Sequence, residues 1–327
     1  MGAMKTSTPN GYRRIGRFAA YGSAGTAIAI ALLMAASPMA GALKPHVILP
    51  PYKGTAASLS KYSYTSGNCK TSSALTAFHW IPKTGNVTGF VYAAAKGCTV
   101  VPTGYGNAYV SQQGTLQIAI PVKVYTNAAH NFSINWSYAV TIIASVSGAV
   151  GGCPVAKAPG SYNDCFVEAG ASTSAGIQDL YDQTNNSYLY GGYGGHAQVP
   201  GPQNYSYVQN YSYCTTGGAC YVYNYTGFCG QYKYYYYNCV PSGTQAAGTN
   251  VTWVNTGNHC EDMFNNHCYY WQNWTLNASH KFWILADVYY SAYGYIAGYS
   301  GAHTATASAN GATLGNTGWK IASVTVT

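Results

Sequence analysis

An all-β fold, an antiparallel β-sandwich of jelly-roll or immunoglobulin-like type stapled by disulfides, is the fold class this sequence predicts. Three observations predict it. In Asn131–Ser147 the even positions Phe132, Ile134, Trp136, Tyr138, Val140, Ile142, Ala144 and Val146 are apolar, and the odd positions are mostly Asn, Ser and Thr. Side chains alternate across a strand, so this is a long half-buried one. No long helical period occurs anywhere. All ten cysteines follow residue 43, and an even count in an exported chain reads as disulfides.

Residues 1–42 read as an export signal. Arg13, Arg14 and Arg17 form a basic start, Ala24–Ala36 an apolar core too short to span comfortably, and Ala40-Gly41-Ala42 a small-x-small cleavage site. No later run is apolar enough for a membrane span. Residues 43–60 read as an extended arm, because Pro45, Pro50 and Pro51 forbid helix and His46–Leu49 is β-prone. Strands are expected near Ser73–Ile81 and Asn86–Ala95. Leu116–Val124 is another, with Leu116, Ile118, Ile120, Val122 and Val124 on one face. A turn at Asn127–His130 would join it to the central strand as a hairpin. Residues 148–200 are rich in Gly, Pro and Ser, with one candidate helical turn at Ala175–Asp182. Residues 201–248, crowded with Tyr, Asn and Cys, read as stapled loops or short strands. Phe282–Ile296, His303–Ala309 and Trp319–Thr327 return to alternation.

An internal duplication is expected. Asn127–Ile134 and Asn277–Ile284 share the pattern N-A-x-H-x-F-x-I, and Asn86–Phe90 matches Asn224–Phe228. Together these favour two tandem sandwiches, at 61–155 and 201–327, with a connector at 156–200.

Charged residues are 7% of the chain, against roughly 25% in typical soluble proteins. Beyond residue 43 there are eleven lysines, no arginine and seven acids, which leaves +4. The lysines are scattered, which argues against a nucleic-acid partner. Few carboxylates leave few ion pairs for acid to break, so the composition suits acid surroundings. Retained near-UV circular dichroism at about pH 2 is the check on that expectation.

No H-E-x-x-H, G-x-S-x-G or Walker A motif is present, and no cofactor is expected. The carboxylates that could serve a hydrolase are Asp179 and Asp182, with Glu168 and Asp287 in predicted strands. His259, Glu261, Asp262 and His267 form the densest set of metal-type ligands, although Cys260 and Cys268 among them suit a disulfide better than zinc. The remaining cysteines are Cys69, Cys98, Cys153, Cys165, Cys214, Cys220, Cys229 and Cys239. Their spacing favours neighbours pairing in order and leaves connectivity open. Ten N-x-S/T sequons begin at Asn86, Asn131, Asn135, Asn185, Asn204, Asn210, Asn224, Asn250, Asn273 and Asn277, which points to N-linked glycans. The 34 tyrosines, dense between Tyr205 and Tyr237, give apolar area with a polar tip, suited to protein interfaces or sugar stacking.

On composition, clustered sequons and the two N-A-x-H-x-F-x-I openings, the mature chain resembles the secreted, low-charge, Tyr/Asn/Ser/Thr-rich surface β-proteins of acidophilic archaea. That resemblance implies an extracellular structural or adhesive protein, in some members a filament subunit that inserts a terminal strand into its neighbour. The arm at 43–60 would be that strand, and other copies or surface proteins the partners. Two alternatives stand beside it: a secreted acid hydrolase and a carbohydrate-binding module taking polysaccharide on a flat row of rings.

Overall fold

The computed structural model describes residues 44–67, 70–98, 106–147, 153–189, 197–229, 239–253, 275–299, 301–311 and 318–327. Among the described residues there are fourteen strands and no helix. The first seven are β1 (His46–Ile48), β2 (Ala56–Gly67), β3 (Lys70–Ile81), β4 (Asn86–Cys98), β5 (Gly106–Val122), β6 (Phe132–Ser147) and β7 (Tyr162–Asp182). The others are β8 (Ser187–Tyr188), β9 (Ala197–Cys214), β10 (Cys220–Phe228), β11 (Gly243–Trp253), β12 (Phe282–Tyr299), β13 (Gly301–Asn310) and β14 (Gly318–Val326).

They form two seven-stranded antiparallel sheets packed face to face. Sheet A holds β1, β3, β4, β6, β11, β13 and β14, and sheet B runs β10-β9-β7-β12-β5-β2 with β8 on β7. In sheet A, β13 and β14 share one position between β4 and β6. β13 pairs Thr304–Asn310 with Ser147–Thr141, and β14 pairs Gly318–Val326 with Ala139–Phe132. Gly318 sits at the join with φ +69, and an added Cβ there would lie 2.0 Å from the Val87 carbonyl oxygen, so only glycine fits. β1 continues the line of β4 by pairing His46–Ile48 with Val326–Val324.

One core fills the space between the sheets. At one end it is wide, filled by the fully buried Trp136, Trp319, Phe132, Phe282 and Tyr290. The rings of Trp136 and Trp319 meet edge to face, 6.0 Å apart. At the other end the sheets close on small residues. A Cβ on Gly294 of β12 would lie 2.7 Å from the Ala305 carbonyl of sheet A, and Ala93, Ala95, Ala305 and Ala307 are fully buried around it. Alternating large and small inward residues thus set the taper of the sandwich.

The sandwich and the strong strands match the sequence expectation, and the connectivity does not. There is one sandwich, not two in tandem, since strands of both halves enter both sheets. The longest apolar stripes pair with each other whichever half supplies them: β12 lies between β5, in register from Phe282↔Val122 to Ile296↔Ala108, and β7. β5 and β6 are not a hairpin, because β5 enters sheet B and β6 sheet A. The expected connector at 156–200 contains β7, β8 and the start of β9, and the expected helical turn at Ala175–Asp182 is the last part of β7, locked to β12 through Ala286↔Ile177 and Phe282↔Asp182. Of the two readings of residues 201–248, loops or short strands, residues 201–214 take the strand, as part of the 18-residue β9. The arm at 43–60 folds into its own chain, as β1 on β14 and as the start of β2 on β5. The duplicated openings do meet: Leu276 N–H donates to the Ala128 carbonyl at 2.9 Å, and the Asn127 side chain accepts from Ala278 N–H at 2.8 Å. They launch β6 and β12, the long strands of opposite sheets.

Candidate functional site

The outer face of sheet B is where the tyrosines collect. Along β9 the odd residues face outward and the even ones inward, since Asn204, Asn210, Ser212 and Cys214 are buried. In an antiparallel pair, residues directly opposite share a face. The β9–β10 register sets Tyr213 against Tyr221 and Tyr211 against Tyr223. The rings form a ladder: Tyr213–Tyr223 centroids are 6.1 Å apart at 7°, and Tyr223–Tyr225 are 6.1 Å apart at 8°. Tyr221, Tyr223 and Tyr225 are 44%, 38% and 43% exposed. The Tyr213 hydroxyl is pushed above its ordinary value by its hydrogen bond with Tyr223, then by burial and the neighbouring tyrosines.

The ladder continues inward across the sheet. Phe166 of β7 stacks on Tyr207 at 5.6 Å and meets Tyr295 of β12 at 6.4 Å, and Tyr295 meets Tyr109 of β5 at 6.1 Å. Here the rings cover glycines. A Cβ on Gly227 would lie 1.9 Å from the Tyr207 ring, and one on Gly170 would lie 2.3 Å from the Tyr293 ring. This inner part is therefore structural covering, with Tyr207 only 7% exposed, whereas the ring edge at β10 is open. Polar groups stand between the rings. Gln209 donates to both carboxylate oxygens of Asp164, at 2.9 and 3.1 Å, and the Tyr293 hydroxyl donates to Glu168. Strands β5, β7, β9, β10 and β12 contain no lysine or arginine. On the inward side of the hairpin a small cleft of about 140 Å³ lies between Cys153–Val155 and residues Asn210, Ser212, Val222 and Asn224.

The four carboxylates weighed for hydrolysis do not converge. Glu168 sits opposite Tyr295, whereas Asp287 lies eight residues further back along β12, opposite Gly176. At roughly 3.3 Å per residue, that is more than 25 Å away. Asp179, opposite Leu285, shares the Asp287 end, and its side chain accepts from Leu180 N–H at 2.7 Å. Asp182 is buried and tied into a turn. It accepts from Thr184 N–H at 2.9 Å, Asn185 N–H at 3.2 Å and the Asn185 side chain at 3.0 Å, and pairs with His280 at 2.8 Å. His259, Glu261, Asp262 and His267 lie outside the described residues.

Three disulfides join neighbours in order: Cys153–Cys165, Cys214–Cys220 and Cys229–Cys239. The Cys214–Cys220 bond clamps the β9–β10 turn at the head of the ladder. Cys69, Cys260 and Cys268 lie outside the described residues, as does the side chain of Cys98. The sequons divide. Asn135, Asn185, Asn224 and Asn277 are exposed, and Asn86 and Asn131 half-buried. Asn204 and Asn210 are corrections to the glycan expectation, being only 5% exposed on the inner face of β9. Asn204 Nδ2 donates to the Val240 carbonyl, and its Oδ1 accepts from Ala144 N–H at 2.7 Å, so it is a link between the sheets. Asn273 and the side chain of Asn250 lie outside the description. Among the described residues no helix is long and apolar enough to cross a membrane.

No protein-family model matches the chain, and no curated protein matches it. Among solved structures, a family 11 carbohydrate-binding module from Clostridium thermocellum, in complex with a beta-1,3-1,4-mixed-linked tetrasaccharide, aligns at 11% identity over 82% of this chain and 96% of that one. Its TM-score is 0.14, so this alignment carries no functional argument.

Proposed function

We propose that this chain is an extracellular, surface-adhesive β-sandwich protein that holds neutral polysaccharide against the tyrosine face of sheet B. The observation that carries the reading is the open ladder of Tyr221, Tyr223 and Tyr225 backed by Tyr211 and Tyr213. Planar rings offer apolar faces to the C–H side of a sugar, and their hydroxyls, with Asp164 and Gln209 beside them, offer donors and acceptors to its polar edge. Among the described residues the five strands that carry the rings have carboxylates and no lysine or arginine, which favours a neutral chain over an acidic one. Three ordered disulfides and the sequons agree with export.

Retention of the purified protein on insoluble β-glucan, xylan, mannan and chitin tests it. The triple variant Tyr221→Ala, Tyr223→Ala, Tyr225→Ala is expected to lose at least about tenfold in affinity, as removal of central aromatic anchors does. A wild-type protein retained by none of these polymers would sink the reading.

A second reading, polymerisation through the N-terminal segment, keeps one supporting observation. β1 holds β14 by three residue pairs only, and Val47 within it and Leu49 just after it are 50% and 60% exposed. Exchange of so short a strand between copies would keep its register and link subunits. Deletion of residues 43–51 would then abolish filaments seen by negative-stain electron microscopy. Filaments surviving the deletion rule that linkage out.

A further inference from the structure

We infer that the open edge of β10 is a self-association surface, on which a second copy pairs its own β10 antiparallel about a two-fold axis and merges two B sheets into one. β10 ends sheet B, and among the described residues no strand pairs with its outer side. Edge strands of natural sheets are protected by charge, proline, bulges or short length. β10 has none of these. Its sequence CYVYNYTGF contains no charge and no proline, it is nine residues long, and its register with β9 is unbroken from Cys220↔Cys214 to Phe228↔Ser206. The opposite edge of the same sheet is guarded, since β2 carries Lys61.

The sequence of the edge selects a second copy as the occupant. Around Tyr223 the pattern Tyr221-Val222-Tyr223-Asn224-Tyr225 reads alike in both directions in its tyrosines. Antiparallel pairing about Tyr223 sets Tyr221 opposite Tyr225 of the second copy and Tyr223 opposite itself, with all six rings on one face. Opposed aromatic pairs of this kind stabilise strand pairing, and an uncharged edge meets no like charge in its own image. Residues Tyr221–Thr226 are exposed on both faces of the strand, so nothing described on either side blocks approach. The backbone edge makes the contact and the rings stand perpendicular to it, so assembly leaves the tyrosine face free and doubles its length. The inference does not depend on the polysaccharide reading.

Sedimentation equilibrium of residues 43–327, produced without N-linked glycan because Asn224 of this strand opens a sequon, tests it. The wild-type mass is expected to be that of two copies, falling to one copy on dilution. The double variant Val222→Lys, Asn224→Lys places four lysines around the axis on the side away from the rings and is expected to be a single copy at every concentration. Ser63→Lys, on the guarded edge, is expected to keep two. Circular dichroism of each variant confirms that it is folded, and Val222 and Asn224 are both exposed, so folding is expected. A wild type of one-copy mass at its highest soluble concentration overturns the inference, as does a folded double variant that still doubles. Polysaccharide retention that survives in the single-copy double variant keeps the two readings separate, because its tyrosines are intact.

Discussion

The two outer faces of this sandwich are built on the same strand geometry and carry opposite chemistry. Sheet A shows water short hydroxyls and amides: Ser133, Asn135, Ser137, Thr141 and Ser145 on β6, and Thr304, Thr306 and Ser308 on β13. They bond across strands, as Thr141 does to Thr244 at 2.9 Å and Ser147 to Thr304. On this face Phe90 and Tyr92 of β4 stack on each other. Sheet B shows water a field of tyrosines that cover glycines and one another. Both faces carry little charge, Asp164 and Glu168 on sheet B and Lys96 and Lys320 on sheet A, and they stay hydrated by different means. Short hydroxyls leave the backbone hydrated and add little packing, whereas rings add a third apolar layer outside the sheet. Sheet B should therefore be sensitive to substitution on its outside, and sheet A should not.

High pH separates the two chemistries most strongly, because tyrosines ionise there and Ser and Thr do not. Burial raises the hydroxyls of Tyr52 and Tyr290 in the core well above their ordinary value of 10.0, and raises those of Tyr138 and Tyr289. At Tyr289 a hydrogen bond with Ser291 opposes the shift. The folded state keeps these protons after the unfolded chain has lost them. Their stabilisation is thus whole below pH 10 and falls as pH rises beyond it. The slope is about 1.4 kcal/mol per pH unit for each fully buried tyrosine. Urea midpoints measured from about pH 8 to 12 should be level and then drop steeply, and a level curve throughout would refute the assignment.

The next largest effect distinguishes the inner from the outer part of the tyrosine face. Tyr207→Ala removes a ring that is stacked on Phe166 at 5.6 Å and lies over Gly227. It should cost about 3 kcal/mol, as an aromatic core residue does. Thr306→Ala, on the outside of sheet A, should stay within about 0.5 kcal/mol. Equal losses in thermal or urea unfolding would erase the contrast. Gly227→Ala approaches the same contact from below. Its methyl would meet the Tyr207 ring at 1.9 Å, so the ring must lift, at a cost of about 2 kcal/mol. In the double variant Gly227→Ala, Tyr207→Ala the glycine substitution should cost almost nothing more, which is the coupling a double-mutant cycle reads.

The sequence shows β5, β6, β12 and β14 plainly because their inward residues are large and apolar, such as Ile118, Ile120, Trp136, Ile284 and Ile321. It hides β7 and β9. The middle of β7 buries only Ala169, Ala171, Thr173 and Ala175 between Val167 and Ile177, and β9 buries Asn204, Asn210 and Ser212, so the hydrophobic period is weak in one and missing in the other. Small residues suffice there because the sheets come close, and a polar one is tolerated where it finds a cross-sheet partner, as Asn204 does at Ala144. The single sandwich was hidden for another reason: alternation names a strand's buried face but not its neighbour. The tyrosine cluster was legible as composition, but which rings are open and which cover glycine depends on the β9–β10 and β7–β12 registers.

Glycine gives the finest measure of the difference between the faces. On sheet B, Gly170 and Gly227 exist because a ring lies where their Cβ would be. On sheet A, Gly248 of β11 is exposed opposite Ser137, and the nearest atom to an added Cβ is the Trp136 carbonyl oxygen at 3.8 Å. That is ordinary contact with room to spare. Alanine there lowers the entropy of the unfolded chain and meets nothing in the folded one. Gly248→Ala should therefore stabilise the protein by about 0.5 kcal/mol, an upward shift in the urea midpoint with unchanged slope. A loss of stability would mean that the outside of sheet A also carries a packed layer at this edge, and that the two faces differ less than their side chains suggest.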